Sequence, residues 1–151
     1  MKYLLTFFIV LNFLACSKSR PIPQDSPLNS SYLNPKLLKK LDFKNQDVIA
    51  IKVQNQFYYV RKDGKKISTL SYDGEADKFS DGLARTKRNG KVGFFNRNLD
   101  IILKPIYDFA FPFHNGVAEI CVGCKEEAED GTSMLNGGKW EKIDRDGLVI
   151  E

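Results

Sequence analysis

Across 151 residues, 23 lysines and arginines stand against 19 acids, and the formal net charge is +4. The excess is small and the two signs are interleaved: Arg85, Lys87, Arg88 and Lys91 fall near Asp77, Asp81 and Asp100. They read as a solvated face, and no nucleic-acid partner is expected. With a single histidine, no Gly-rich phosphate loop and no HExxH, the chain offers no catalytic constellation, and neither enzymatic activity nor a cofactor is expected.

The first segment, 1–15, reads as a cleaved signal peptide. Lys2 gives a short positive start, and Tyr3 to Phe13 is nearly all apolar. That length matches a secretory core of about 7–15 residues and falls short of the ~20 apolar residues that a membrane span needs. Phe13-Leu14-Ala15-Cys16 then resembles a bacterial lipobox, with Phe13 where leucine is usual. The resemblance implies that Cys16 becomes the acylated first residue of a lipoprotein. Two or more acyl chains hold a protein stably on a bilayer where one does so marginally. Ser17 follows in place of the aspartate that retains lipoproteins at the inner membrane, so the expected location is the cell envelope, at the outer membrane. Residues 16–35 are rich in Ser, Pro and Asn with no apolar period, and read as a tether.

About 115 residues remain, close to the usual size of one domain. Lys36 to Leu41 can make one helical turn, and Pro35 to Phe43 is the expected N-terminal cap. From Asp47 onward the chain copies itself. Asp47 to Arg61 lies over Gly82 to Asn96 at an offset of 35, Ile67 over Ile102, and Tyr72-Asp73 over Tyr107-Asp108. The offset then slips by one, placing Lys78 to Ala84 over Pro112 to Ala118, and a partial third copy runs from Gly138 to Ile150. A fixed period in the 20–50 range signals a repeat architecture.

Each copy has the same grammar. A strand, Leu83 to Arg88 in the second copy, reaches Asn89-Gly90, a pair that favours a type I′ hairpin because both turn residues need positive φ. The return strand is Lys91 to Asn96. A second turn follows, at Asp63-Gly64, Arg97-Asn98 and Asp146-Gly147 in the three copies, and then a short strand such as Ile101 to Leu103. The expected fold is all-β: antiparallel hairpin and meander repeats of about 35 residues in one domain over 36–151. Phe57, Val92, Trp140, Phe79 and Phe113 are the expected core layers, with Tyr72 and Tyr107 packed beside them and Asp73 and Asp108 holding turn backbone. Repetition of that aspartate in register argues for a turn role over acid–base work.

Gly90-Lys91-Val92-Gly93-Phe94-Phe95-Asn96, Gly138-Lys139-Trp140-Glu141-Lys142-Ile143-Asp144 and Leu103 to Ala118 resemble the WG-containing (KWG) bacterial repeat. Val92 replaces its tryptophan and Glu141 its second glycine. The resemblance implies a non-catalytic β-repeat module that binds or scaffolds, often outside the cytoplasm, and it brings no site residues with it.

The third hairpin departs from the pattern. Cys121-Val122-Gly123-Cys124 stands where the second copy turns, and an acidic insertion at about 123–137 is expected as a loop, with at most a helical turn over Glu126 to Asp130. Loops inserted in repeats often carry function, so Lys125, Glu126, Glu127, Glu129 and Asp130 are candidate contacts for a protein, peptide or glycan partner. Three readings of Cys121 and Cys124 stay open. With Cys16 lipidated, the two remaining cysteines suit a disulfide in an oxidising compartment. Two cysteines at this spacing are also half of a zinc site, with His114, Glu126 and Glu127 nearby. They also spell a CxxC redox pair, although no helix clearly follows. The latter two make a small redox or metal-handling envelope protein the alternative function.

Overall fold

A computed structural model describes residues 31–129 and 132–151. Cys16, the signal segment and the tether up to residue 30 lie outside the described residues, as does Asp130. The fold is a stack of three antiparallel meanders, and it is almost entirely strand.

Strand β1 (Ser31–Tyr32) and helix α1 (Pro35–Leu38) open the chain. Asn34 caps the helix, its side chain accepting the Lys36 N–H at 2.9 Å, and Pro35 stands in the first turn where its missing N–H costs nothing. The first meander is β2 (Val48–Val53), β3 (Gln56–Arg61) and β4 (Lys65–Thr69), with β1 added beside β4. A small hairpin, β5 (Ser71–Tyr72) and β6 (Glu75–Ala76), leads to the second meander: β7 (Leu83–Arg88), β8 (Lys91–Asn96) and β9 (Ile101–Tyr107). The third sheet orders β10 (Phe109–Ala110), β11 (Ala118–Glu129), β12 (Thr132–Ile143) and β13 (Val149–Ile150). The offset of 35 carries the bounds of β2 and β3 onto those of β7 and β8 residue for residue.

Turn chemistry fixes the register. Asn89 and Gly90 take φ of 48° and 78°, as the hairpin requires, and the same signature recurs at Asp81-Gly82 and Asn115-Gly116. Successive turns are tied together: the Asp81 carboxylate accepts the Gly116 N–H at 2.7 Å, and Ser80 Oγ donates to the Phe113 carbonyl. Gly93 also has a packing role. A Cβ there would stand 2.6 Å from the Leu103 oxygen and the Pro105 nitrogen, so β9 closes on β8 only where the side chain is absent. The ladder shifts at the same point. Pro105 sits within β9, an edge strand of its sheet, where a missing donor is tolerated.

The middle meander is shared by two cores. One cluster holds Leu83, Val92, Phe94, Leu103, Tyr107, Ala110, Phe113, Ala118, Ile120 and Ile143. The other holds Ile67, Ala84, Phe95 and Leu99, with Val48, Tyr59, Phe79 and Ile101 against it. Phe94 and Phe95 therefore face opposite neighbours and are both fully buried. A strand covered on both faces reads as a continuous apolar run instead of an alternation, and each unit completes its neighbour's core. Ring contacts follow this division: Phe94 meets Phe113 at 4.8 Å, while Tyr59 meets Phe79 at 4.8 Å and Phe95 at 5.9 Å.

Four sequence expectations are corrected. Tyr72 is 70% exposed and packs in neither core, because its two-residue strand projects from the stack. Trp140 is 39% exposed: among the described residues no further meander covers β12, so the position that Val92 buries in the middle layer is open in the third. Phe57 is only half-buried, with the Lys52 ammonium over its ring. Arg85 is not part of a solvated face; it is buried together with Asp77. In addition, the segment expected as a loop at 123–137, and as a helical turn over Glu126 to Asp130, is a long hairpin. Strands β11 and β12 stay paired from Ala118↔Ile143 to Glu129↔Thr132.

Candidate functional site

The long hairpin rises past the second meander, and a groove of about 760 Å³ lies between them. Its floor comes from β7, β8 and the turn between them: Arg85, Lys87, Gly90 and Val92. Leu70, Ser71 and Tyr72 close one end. Phe109, Ala110, Phe111 and Pro112 make one wall, and Cys124, Glu126, Ser133 and Leu135 of the hairpin make the other.

The floor is held by a buried ion pair. Arg85 donates from Nη2 and Nε to the two oxygens of Asp77 at 2.5 and 3.0 Å, and its backbone N–H reaches the same carboxylate at 2.8 Å. Its Nη1 donates to the Ala110 carbonyl at 2.9 Å, tying the floor to the aromatic wall. A buried pair is tolerable only when further hydrogen bonds use its remaining atoms, as here. The wall is an aromatic cluster. Phe109 lies edge-on to Phe111 at 5.0 Å and to Trp140 at 5.9 Å, and Phe111 lies 6.1 Å from Trp140. Phe111 and Trp140 keep much of their rings in solvent, 46% and 39%.

The root of the hairpin is braced by the cysteines. Cys121 and Cys124 form a disulfide pair with Cα atoms 6.0 Å apart. Gly123 between them takes φ of 83°, and opposite it Gly138 takes 71°. A Cβ on Gly138 would meet the Cys124 nitrogen at 2.5 Å and both sulfurs at 2.7 Å, so β12 passes under the bridge only as glycine. Asp108 fastens the same corner from below: it accepts the Gly123 N–H at 2.6 Å and pairs with Lys91. That ion pair, then the Gly123 N–H, hold its carboxyl below the usual carboxylate range. Asp108 thus plays the turn-holding part expected of it.

The insertion's candidate residues divide by strand alternation. Glu126 faces the groove and accepts from Ser133 Oγ at 2.5 Å, and Cys124 lies beside it. Lys125 and Glu127 point to the opposite face, where Glu127 accepts from Asn136 at 2.7 Å. Glu129 ends β11, and Cys16 and Asp130 lie outside the described residues. No group of three or more His, Cys, Asp and Glu side chains that could hold a metal occurs among the described residues, so His114 and the glutamates do not complete the half-site considered above. Sequence reasoning passed over Arg85, Asp77, Lys87, Phe109 and Phe111. The available signal was Phe109-Ala110-Phe111, two aromatics on one face of a strand in addition to the repeat's own core positions.

A second cleft is lined by Val48 and by the polar residues Gln46, Asp47, Arg61, Lys62, Asp63, Arg97 and Asn98, whose charges are largely satisfied. Lys62 pairs with Asp47 at 2.9 Å, Arg61 with Asp63, and Arg97 lies over the Phe79 ring at 4.6 Å.

No curated protein and no solved structure matches the chain. Residues 59–91 and 93–125 match the family model described as WG containing repeat. Each matched unit begins in the middle strand of one meander and ends in or just beyond the first strand of the next. The hairpin of β12 and β13 lies past the match and repeats the same meander. Residues 59–125 thus carry two adjacent units that match the WG containing repeat, within an all-β tandem-repeat fold.

Proposed function

We propose that this β-repeat module is a non-catalytic binding protein of the bacterial envelope, anchored through an acylated Cys16, whose groove takes a protein, peptide or glycan partner. The observation that carries the reading is the groove itself. It has a half-exposed aromatic wall, a rigid floor and a second wall made by the segment that departs from the repeat pattern. Concave, mostly apolar sites with a few fixed polar groups are the usual form of binding sites. Half-exposed aromatics supply contact area at little conformational cost.

Trp140 is the single tryptophan and touches Phe111 of the wall, so occupancy is readable in its fluorescence. The test is a panel of envelope glycans and peptides titrated into the wild-type chain and into a chain lacking Lys125 to Asn136. A ligand that shifts Trp140 emission and loses affinity in the deletion supports the reading. Ligands that bind both chains equally remove the hairpin from the function. Intact mass of the protein from native envelopes tests the anchor separately: a chain starting at an acylated Cys16 is expected.

A further inference from the structure

We propose that the outer edge of β2 is a second docking surface, for an extended segment of a partner protein with the pattern aromatic–alanine–aromatic. The inference comes from comparing the same edge in the three meanders. In the second, the outer edge of β7 is covered by chain from the first copy: Leu70 N–H and Thr69 Oγ donate to the Arg85 carbonyl at 3.2 and 2.8 Å, and Asp77 takes the Arg85 N–H. In the third, the outer edge of β11 is covered by β10, with Phe109 paired to Cys121 and Ala110 to Ile120. There Phe111 N–H donates to the Glu119 carbonyl at 2.8 Å and Asp108 N–H to the Cys121 carbonyl at 2.9 Å. Arg85 and Glu119 are one position of the repeat, 34 residues apart.

Carried back by 35, that position is Ala50. Strands β2 and β7 share register against their return strands, Ala50↔Tyr59 matching Arg85↔Phe94. The N–H and C=O of Ala50 therefore aim outward as those of Arg85 do. Yet β2 is the last strand of its sheet, Ala50 is exposed, and no strand pairs with its outer edge among the described residues. An edge with bare donors and acceptors is a template for an added strand.

The chain itself shows what fits. In the third copy the covering segment sets a buried alanine, Ala110, opposite Ile120, between Phe109 and Phe111. On β2, Lys52 and its cross-strand partner Phe57 hold the repeat positions of Cys121 and Trp140, so the segment's first aromatic would lie where Phe109 lies against Trp140; the Lys52 ammonium, 5.0 Å from the Phe57 ring, offers it a cation. A second copy of this chain is a poor donor, because its own Asp108 to Phe111 is already used within its fold.

The probe is a labelled peptide with the sequence of Pro105 to Pro112, titrated into the full chain by fluorescence anisotropy, with hydrogen exchange read at β2. Saturable binding that slows exchange at Ala50 and Lys52 is expected. Binding should fall at least tenfold with Ala50→Pro, which removes the outward N–H and leaves the ladder to β3 intact. It should fall similarly when the peptide's first phenylalanine, the one that faces Lys52, is replaced by lysine. An unchanged melting temperature for Ala50→Pro shows that the variant is folded. No binding at millimolar peptide, or protection confined to the groove residues, overturns the proposal. So does an edge already protected until residues 16–30 are removed, or a homodimer that Ala50→Pro abolishes. Hairpin deletion leaves this binding in place, so its outcome is separable from that of the groove.

Discussion

Asp77 and Arg85 form a buried ion pair that joins two repeat copies: the carboxylate holds the Arg85 guanidinium through both oxygens and also its backbone N–H at 2.8 Å. Both side chains are almost wholly removed from water, 3% and 8% exposed. Removing one partner leaves a buried charge uncompensated, which costs about 3–5 kcal/mol, whereas replacing both by apolar residues of similar volume is often neutral. Asp77→Ala is therefore expected to lower stability by about that amount in urea unfolding. The Asp77→Leu, Arg85→Met double variant is expected to recover most of it. A double variant as unstable as the single one would show that the Arg85 backbone contact, and not the charge, carries the effect.

At the hairpin root, Gly138→Ala puts a methyl where the Cys124 nitrogen and both sulfurs stand within 2.7 Å. The bridge cannot close over it without moving β12. The expected result is two thiols that label without prior reduction, where the wild type labels only after it. Cys121→Ser with Cys124→Ser should be milder, since the closed loop is so short that a chain-entropy gain of only about 2 kcal/mol is at stake. Denaturant midpoints of the two variants give the order.

Leu99 occupies a left-handed backbone position, φ 60°, where the other copies carry Gly64 and Gly147. It stays because its side chain is 1% exposed in the core between the first two copies. Leu99→Ala loses the packing and keeps the backbone cost, so a loss of about 2–5 kcal/mol is expected. Leu99→Gly also loses the packing but relieves a strain of about 1–2 kcal/mol. Glycine should thus be the less damaging substitution, the reverse of the order in an ordinary strand.

Acid stability follows from the paired aspartates. Arg61, and then the Lys65 N–H, lower the Asp63 carboxyl from 3.8 to about 2, and Lys65 and Lys91 lower Asp100 and Asp108. A folded-state value below the unfolded one brings stability that is present above about pH 4 and is lost as pH falls towards 2. Asp63 is about half exposed, so its own share is small. Melting temperatures between pH 6 and 2 should drop below pH 4 in the wild type. They should drop less over that window in Asp63→Asn with Asp108→Asn. Parallel curves would refute the assignment.

Local chemistry was legible in the sequence. Asn-Gly and Asp-Gly pairs fix turns through the sterics of positive φ, the period fixes the number of units, and Gly93 announces a close approach. The repeat, the all-β class and the hairpin at Asn89-Gly90 follow from such short-range rules. Position within the stack was not legible, because it depends on what lies on the far side of a strand. The same repeat position is buried at Val92, which has a neighbour on both sides, and open at Trp140, which has one. Arg85 looks like a surface cation until the fold brings Asp77 and the Ala110 carbonyl to it. The insertion looks like an acidic loop because its polar residues alternate too weakly to mark a strand; only pairing across the hairpin, braced by the Cys121–Cys124 bridge, makes it a wall. Sequence determined the unit, and the stacking of units decided which residues are core, floor or surface, since burial is a property of neighbours and not of the residue alone.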